Sequence, residues 1–308
     1  MRDGYDDVKR QEMKKKPLIA YLALVALLSG GFIVGMKVMG KSGYYLAGPY
    51  MLGPAIAAIL TRVFFYENGF RDAHLGFGKL KDYLKFWGFT LGVVLLSYVM
   101  YTIFDAVSWD FSGNTFLTQL KDQMAVSGQD INDLPGGLTP KYMLLLFFVG
   151  GLTLFNIPLV VVGFGEEFGW RGLMFPLLYR VKPWIGFVAG GLIWFGWHVP
   201  LLLIMPNTVA FTPWQHACNV ALLAVGSVCA FAFFAYVYAK SATIWVASFT
   251  HAVFNNASRS FSYFTKVEDQ LLANLALTCA MIAVVAFLHF RNEFRVIKVF
   301  LSEAKDVA

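Results

Sequence analysis

The sequence predicts an all-α polytopic membrane protein with about eight transmembrane helices, and three observations carry that expectation. Hydrophobic residues make up 58% of the 308 and charged residues only 14%, with a mean hydropathy of +0.60. That is more apolar surface than a soluble core of this length hides. Apolar stretches of spanning length, about 20 residues, recur near 18 to 39, 44 to 66, 83 to 105, 142 to 180, 184 to 205, 216 to 238, 242 to 258 and 270 to 290. Finally, the period-two alternation of an outer-membrane barrel is missing, and an open sheet would leave backbone unpaired in lipid.

The first stretch follows a basic segment (Arg2, Lys9, Arg10, Lys14 to Lys16). It is too long for a signal-peptide core and lacks a small-x-small cleavage site, so it reads as a retained helix. The second and third stretches flank a basic loop (Arg71, Lys79, Lys81, Lys85). The connection from 106 to 140 is acidic, with Asp110, Asp122, Asp130 and Asp133 against Lys121, and has too few apolar residues for a core of its own. The fourth stretch is too long for one straight span, and Asn156 to Pro158 offers a kink. Arg180 and Lys182 lead into the fifth stretch. The uncharged 206 to 215 loop leads into the sixth, Lys240 into the seventh, and a mixed connection from Arg259 to Asp269 into the eighth. A basic tail (Arg291, Arg295, Lys298, Lys305) closes the chain.

Basic loops thus alternate with poorer ones, which predicts cytoplasmic N- and C-termini. The formal charge of +6 reads as membrane topology rather than nucleic-acid binding, and no nucleic-acid partner is expected. Cys218, Cys229 and Cys279 fit neither a disulfide frame nor a metal knuckle and read as apolar filler. With no internal repeat, low-complexity tract or soluble domain, residues 1–308 form one integral membrane domain.

Inside this apolar chain stands "GEEFGWRG", Gly165 to Gly172. An ionisable group in a span costs on the order of 2.5 to 3.5 kcal/mol and requires a partner, a wet cavity or a function. The inventory is Glu166, Glu167 and Arg171 in the fourth stretch, His198 in the fifth, and His251 with Asn255 in the seventh. Counting helical rise from Arg180, Lys182 and Lys240 places Glu166, His198 and His251 at depths of roughly 21, 24 and 17 Å. Three helices therefore bring their polar residues to one layer, reached from the cytoplasm. Glu167 and Arg171, four apart, suit an ion pair, with Glu166 turned about 100° away and left free to act as a general base. His251 and Asn255, also four apart, would project together as a hydrogen-bonding pair for an oxyanion or a water. His198 could orient that water.

These residues resemble the CAAX-protease and bacteriocin-processing (CPBP/Abi) family of intramembrane proteases, which includes the type II CAAX prenyl endopeptidases. "EEFGWR" resembles the family's EExxxR motif, Phe195 and His198 its aromatic-xx-His motif, and His251 to Asn255 its HxxxN motif, in the family's order over roughly 142 to 256. The resemblance implies an intramembrane endopeptidase, with its catalytic core at about 142 to 258. The substrate would be a membrane-anchored peptide or protein among membrane lipids, a C-terminally prenylated CAAX type being the best-known case. Glu166 with His198 would activate water, His251 and Asn255 would hold the oxyanion, and Glu167 with Arg171 would support the site. No cofactor is expected. HExxH is absent, and a metal at Glu166, His198 and His251 requires three helices to converge within about 2.0 to 2.2 Å of one point.

Competing readings are a proton-coupled transporter, with Glu166, His198 and His251 as its relay, and a non-catalytic immunity or scaffold member of the same family. No inverted repeat of broken helices supports a transporter. A Ser248/His251 dyad is a lesser alternative, since no GxSG motif accompanies it. Plainer roles also exist: Glu167 and Arg171 as a pair tying helix ends, His251 as an interhelical hydrogen bond, and His198 as a stabiliser of the kink before Pro200. Trp170, Trp184, Trp194, Trp197 and Trp245 read as cavity liners or interfacial belt residues, and His74, His216 and His289 as loop or interfacial residues.

Overall fold

Each apolar stretch named above is largely helical over its described residues in the computed structural model, which describes residues 2–126, 130, 139–153, 155–204 and 210–303. Asp133, part of the uncharged 206 to 215 loop and Lys305 lie outside the described residues. The helices are α1 (Arg2–Met39), α2 (Ala47–Phe65), α3 (Leu80–Ile103), α4 (Asn114–Val126), α5 (Pro140–Leu152), α6 (Asn156–Gly169), α7 (Phe175–Val181), α8 (Pro183–Ile204), α9 (Pro213–Ser241), α10 (Ile244–Ser262), α11 (Gln270–Phe290) and α12 (Arg295–Glu303). A 3₁₀ turn (Gly40–Leu46) joins α1 to α2, and one π-helical turn (Trp170–Met174) joins α6 to α7.

Six of these helices are long and apolar enough to cross a bilayer alone, and α5 with α6–α7, bent by 47°, counts as a seventh where the pair is one broken span. The protein is an integral membrane protein. The bend falls beside the expected kink: the Asn156 amide donates back to the Thr153 carbonyl at 2.9 Å. Pro158 lies in the first turn of α6, where a missing N–H costs nothing. Helix α10, the remaining expected span, is too polar to qualify by composition. It carries His251, Asn255, Asn256 and Arg259 and packs against α3, α5, α6 and α9, which take the place of lipid around it.

The sequence reading named neither α4 nor a two-stranded antiparallel ribbon, β1 (Val107–Trp109) with β2 (Thr265–Val267), which pairs Val107 with Val267. The apolar residues of α4, Phe116, Leu120 and Met124, find no core of their own and pack on Met143 and Tyr263. At the opposite end of the bundle Lys240 reaches Glu293 at 3.0 Å, joining α9 to the turn before α12.

The glycines of α6 explain how charged residues can sit at its centre. A Cβ on Gly163 would overlap the Ser248 carbonyl of α10, one on Gly165 would stand 2.5 Å from the Met51 carbonyl of α2, and one on Gly169 would stand 2.6 Å from the Pro54 carbonyl. Small residues let helix backbones approach closely in a membrane. They seal α6 against α2 and α10, so Glu166 and Glu167 face protein rather than lipid.

Candidate active site

The last turn of α6 presents two carboxylates in different directions. Glu167 is fully buried, and its Oε1 accepts from Arg171 Nη1 at 2.9 Å and from His251 Nδ1 at 2.8 Å. Among the described residues Arg171 makes no other hydrogen bond. Its guanidinium lies among the rings of Phe231, Trp194 and Phe234, at 4.2, 5.0 and 5.2 Å from their centroids. Such an aromatic cage suits a weakly hydrated guanidinium out of water.

Glu166 points instead toward α8, where its Oε2 accepts from Trp194 Nε1 at 2.7 Å. Two imidazoles approach the same carboxylate: His198 Nε2 lies 3.9 Å from Oε2 and His251 Nε2 lies 3.8 Å from Oε1. Both separations exceed a hydrogen bond. The other ring nitrogens define the imidazoles. His198 Nδ1 is 2.9 Å from the Trp194 carbonyl, and His251 Nδ1 faces the Glu167 carboxylate. A carbonyl and a carboxylate can only accept, so both Nδ1 atoms carry a hydrogen, and both Nε2 atoms are turned toward Glu166.

The structure therefore brings Glu166, Glu167, Arg171, His198 and His251 into one cluster, on three helices that the depth count had placed in one layer. Asn255 stands one turn beyond His251 on α10, exposed, with no hydrogen-bond partner among the described residues. His251 Nδ1 serves the Glu167 carboxylate, a stronger acceptor than an amide, so His251 and Asn255 are not bonded to one another. Asn256, which the sequence reading passed over, instead donates to Asn156 Oδ1 at 2.9 Å and ties α10 to the start of α6. Among the described residues no three His, Cys, Asp or Glu side chains are grouped to hold a metal ion.

Trp194 was expected to line a cavity or a belt, and its role here is different. It lies one helical turn before His198, so its indole N–H holds Glu166 while its carbonyl holds His198. The signal available in the sequence was that four-residue spacing. Trp197 also turns inward, donating to Ser29 Oγ at 2.8 Å, while its carbonyl accepts from Tyr50 at 2.5 Å. With Ile33, Gly196 and Pro200 these residues line a cavity of about 370 Å³ between α1, α2 and α8. The Trp197 ring stands 4.7 Å from that of His198. Ser248 spends its hydroxyl on the Ile244 carbonyl at 2.8 Å and makes no dyad with His251. His74 packs on Tyr238 and Phe300, away from the cluster.

No curated protein matched the chain. A family model does match, and it covers the helices that carry the cluster. The match supports a CAAX-type intramembrane protease kind of function and a membrane-associated substrate. Residues 139–257, from the start of α5 to Ala257 in α10, match the family described as Type II CAAX prenyl endopeptidase Rce1-like, in agreement with the resemblance carried by the three motifs.

Proposed function

We propose that the protein is an intramembrane endopeptidase that hydrolyses a peptide bond of a membrane-anchored, prenylated CAAX-type substrate with water activated by Glu166. The observation that carries this reading is the Glu166 carboxylate, held by one indole N–H and faced by two imidazole Nε2 atoms just beyond hydrogen-bonding range. A water 2.8 Å from both Glu166 and His198 would subtend roughly 90°, an acceptable geometry for donating one hydrogen to each. The lone pair of that water is then free to attack the scissile carbonyl carbon. Glu166 takes the water proton, the carbonyl oxygen becomes an oxyanion, and the same proton passes to the leaving amine as the C–N bond breaks.

The oxyanion would be met by His251 Nε2–H and the Asn255 amide, which share one face of α10. An imidazolium at His251 has its Nδ1–H on Glu167 already, and with Arg171 it balances the two carboxylates. Glu167 and Arg171 act by holding His251 in place. The catalytic core runs over about 142 to 258. No cofactor enters this scheme.

Both termini and the basic end of the bundle are assigned to the cytoplasm by the positive-inside rule. A prenyl chain could occupy the apolar cavity beside Trp197 while its peptide reaches Glu166.

The reading is tested by incubating purified protein with a farnesylated CAAX peptide and weighing the products. Loss of the three C-terminal residues, slowed at least about 100-fold by Glu166→Gln, is expected. Transport coupled to a proton gradient without any cleavage would replace this reading with the relay. Biological activity that persists in Glu166→Gln would replace it with the scaffold.

A further inference from the structure

The π-helical turn beside the cluster leaves one carbonyl short of a donor. Pro176 has no N–H, so the Gly172 carbonyl four residues earlier lacks its usual helical donor. The Phe175 amide already reaches back five residues to the Trp170 carbonyl. Gly172 is buried, so its carbonyl requires a donor from elsewhere.

Arg62, near the end of α2, supplies it. The side chain is 2% exposed, and Nη2 donates to the Gly172 carbonyl at 3.0 Å. The other arm of the fork, Nη1, donates to Asp72 Oδ1 at 2.6 Å and to the Gly69 carbonyl at 3.1 Å. The same inter-helix segment holds the start of α10: the His74 carbonyl accepts from the Ile244 amide at 3.1 Å and the Leu75 carbonyl from Trp245 Nε1 at 2.9 Å. One short stretch between α2 and α3 thus holds the start of α10, which carries His251, and anchors Arg62, which holds the turn after Glu167.

We propose that Arg62 is a positioning residue: by supplying the donor that the Gly172 carbonyl lacks it holds the backbone between α6 and α7, and with it the alignment of Arg171 and Glu167 toward His251. Its catalytic consequence rests on the glutamate-protease reading above. Lysine keeps a charge opposite Asp72 but has no fork to reach Gly172 as well. Pro176→Ala returns an N–H that can face the Gly172 carbonyl, so it supplies by a different route what Arg62 supplies.

The experiment compares full-length wild type, Arg62→Lys, Pro176→Ala and the double variant by amide hydrogen exchange over residues 166–176 and by hydrolysis of a farnesylated CAAX peptide. Loss of one charge-assisted hydrogen bond predicts exchange about tenfold faster in Arg62→Lys and kcat lower by a similar factor, with KM within about twofold. The double variant recovers most of both. Wild-type exchange and kcat in Arg62→Lys would overturn the proposal, as would losses that Pro176→Ala does not rescue. Should Arg62→Lys fail to fold, recovery of folded protein in the double variant supports the proposal and continued failure overturns it. If the wild type leaves the peptide uncut, the protease reading fails and the exchange data decide the role of Arg62 alone.

Discussion

Replacing Gly163 with alanine tests how tightly the site depends on the α6–α10 contact. Gly163 lies one turn before Glu166 and Glu167, and it faces Ser248, one turn before His251. The added Cβ would overlap the Ser248 carbonyl oxygen and stand 3.1 Å from the carbonyl carbon. Ordinary contact begins near about 3.5 Å, so α10 must retreat by roughly 1 Å to clear the oxygen. The Glu167–His251 hydrogen bond, now 2.8 Å, would stretch to roughly 3.8 Å, past the normal range.

Overpacking costs about 1–3 kcal/mol, offset by about 1 kcal/mol from replacing a helical glycine. The net loss of stability is therefore small. The loss of rate is larger: a misplacement of about 1 Å can cost about 100-fold, which is the fall in kcat expected here. The assay pairs a thermal melt in detergent with hydrolysis of the farnesylated peptide. Gly92→Ala on α3, whose Cβ would meet nothing within 4 Å, serves as the control and keeps the wild-type rate. A Gly163→Ala protein with wild-type kcat would refute the argument, because the two helices would then tolerate a separation that the site geometry forbids.

Two further outcomes follow from particular contacts. Trp194→Phe keeps an aromatic ring but removes the indole N–H; loss of a hydrogen bond to a charged group, about 1.5–3 kcal/mol, predicts kcat/KM lower by roughly ten- to a hundredfold in the protein that remains folded. A rate within twofold of wild type would show that Glu166 is oriented by something else. Outside the membrane, the hydrogen bond from Lys240 holds the Glu293 carboxyl below its ordinary value of 4.5. The unfolded state then binds more protons in that range, so the contribution is complete above about pH 4.5 and fades as pH falls through the folded value. For a partly exposed pair it is worth about 0.2–1 kcal/mol. Melts of wild type and Lys240→Gln should differ at pH 7 and converge at acidic pH, and a gap that persists in acid would contradict this assignment.

The helices were legible because a spanning helix must be apolar along its length, and the bend was legible because Pro158 punctuates an overlong run. The shared depth of Glu166, His198 and His251 was legible too, since basic residues mark where each helix leaves the membrane. What escaped depends on partners distant in sequence. Arg62 lies 110 residues from the carbonyl it serves, and that carbonyl lacks its helical donor because of a proline that by itself reads as an ordinary helix start. Trp194 looked like any interfacial tryptophan until the direction of its indole was known. The four-residue spacing of His251 and Asn255 was legible, whereas the hydrogen bond that holds His251 is made with Glu167, on another helix. Helix α4 and the β1–β2 ribbon escaped because each borrows its packing from elsewhere in the chain.

The central claim is that Glu166 activates the attacking water. Its most direct test is the initial rate of farnesylated CAAX peptide cleavage by purified wild type, by Glu166→Gln, and by wild type treated with a strong chelator. The account predicts a rate reduced at least about 100-fold by the substitution and unchanged by the chelator. Cleavage by Glu166→Gln at the wild-type rate would contradict the assignment of the base, and cleavage abolished by the chelator would replace the carboxylate-activated water with a metal-bound one.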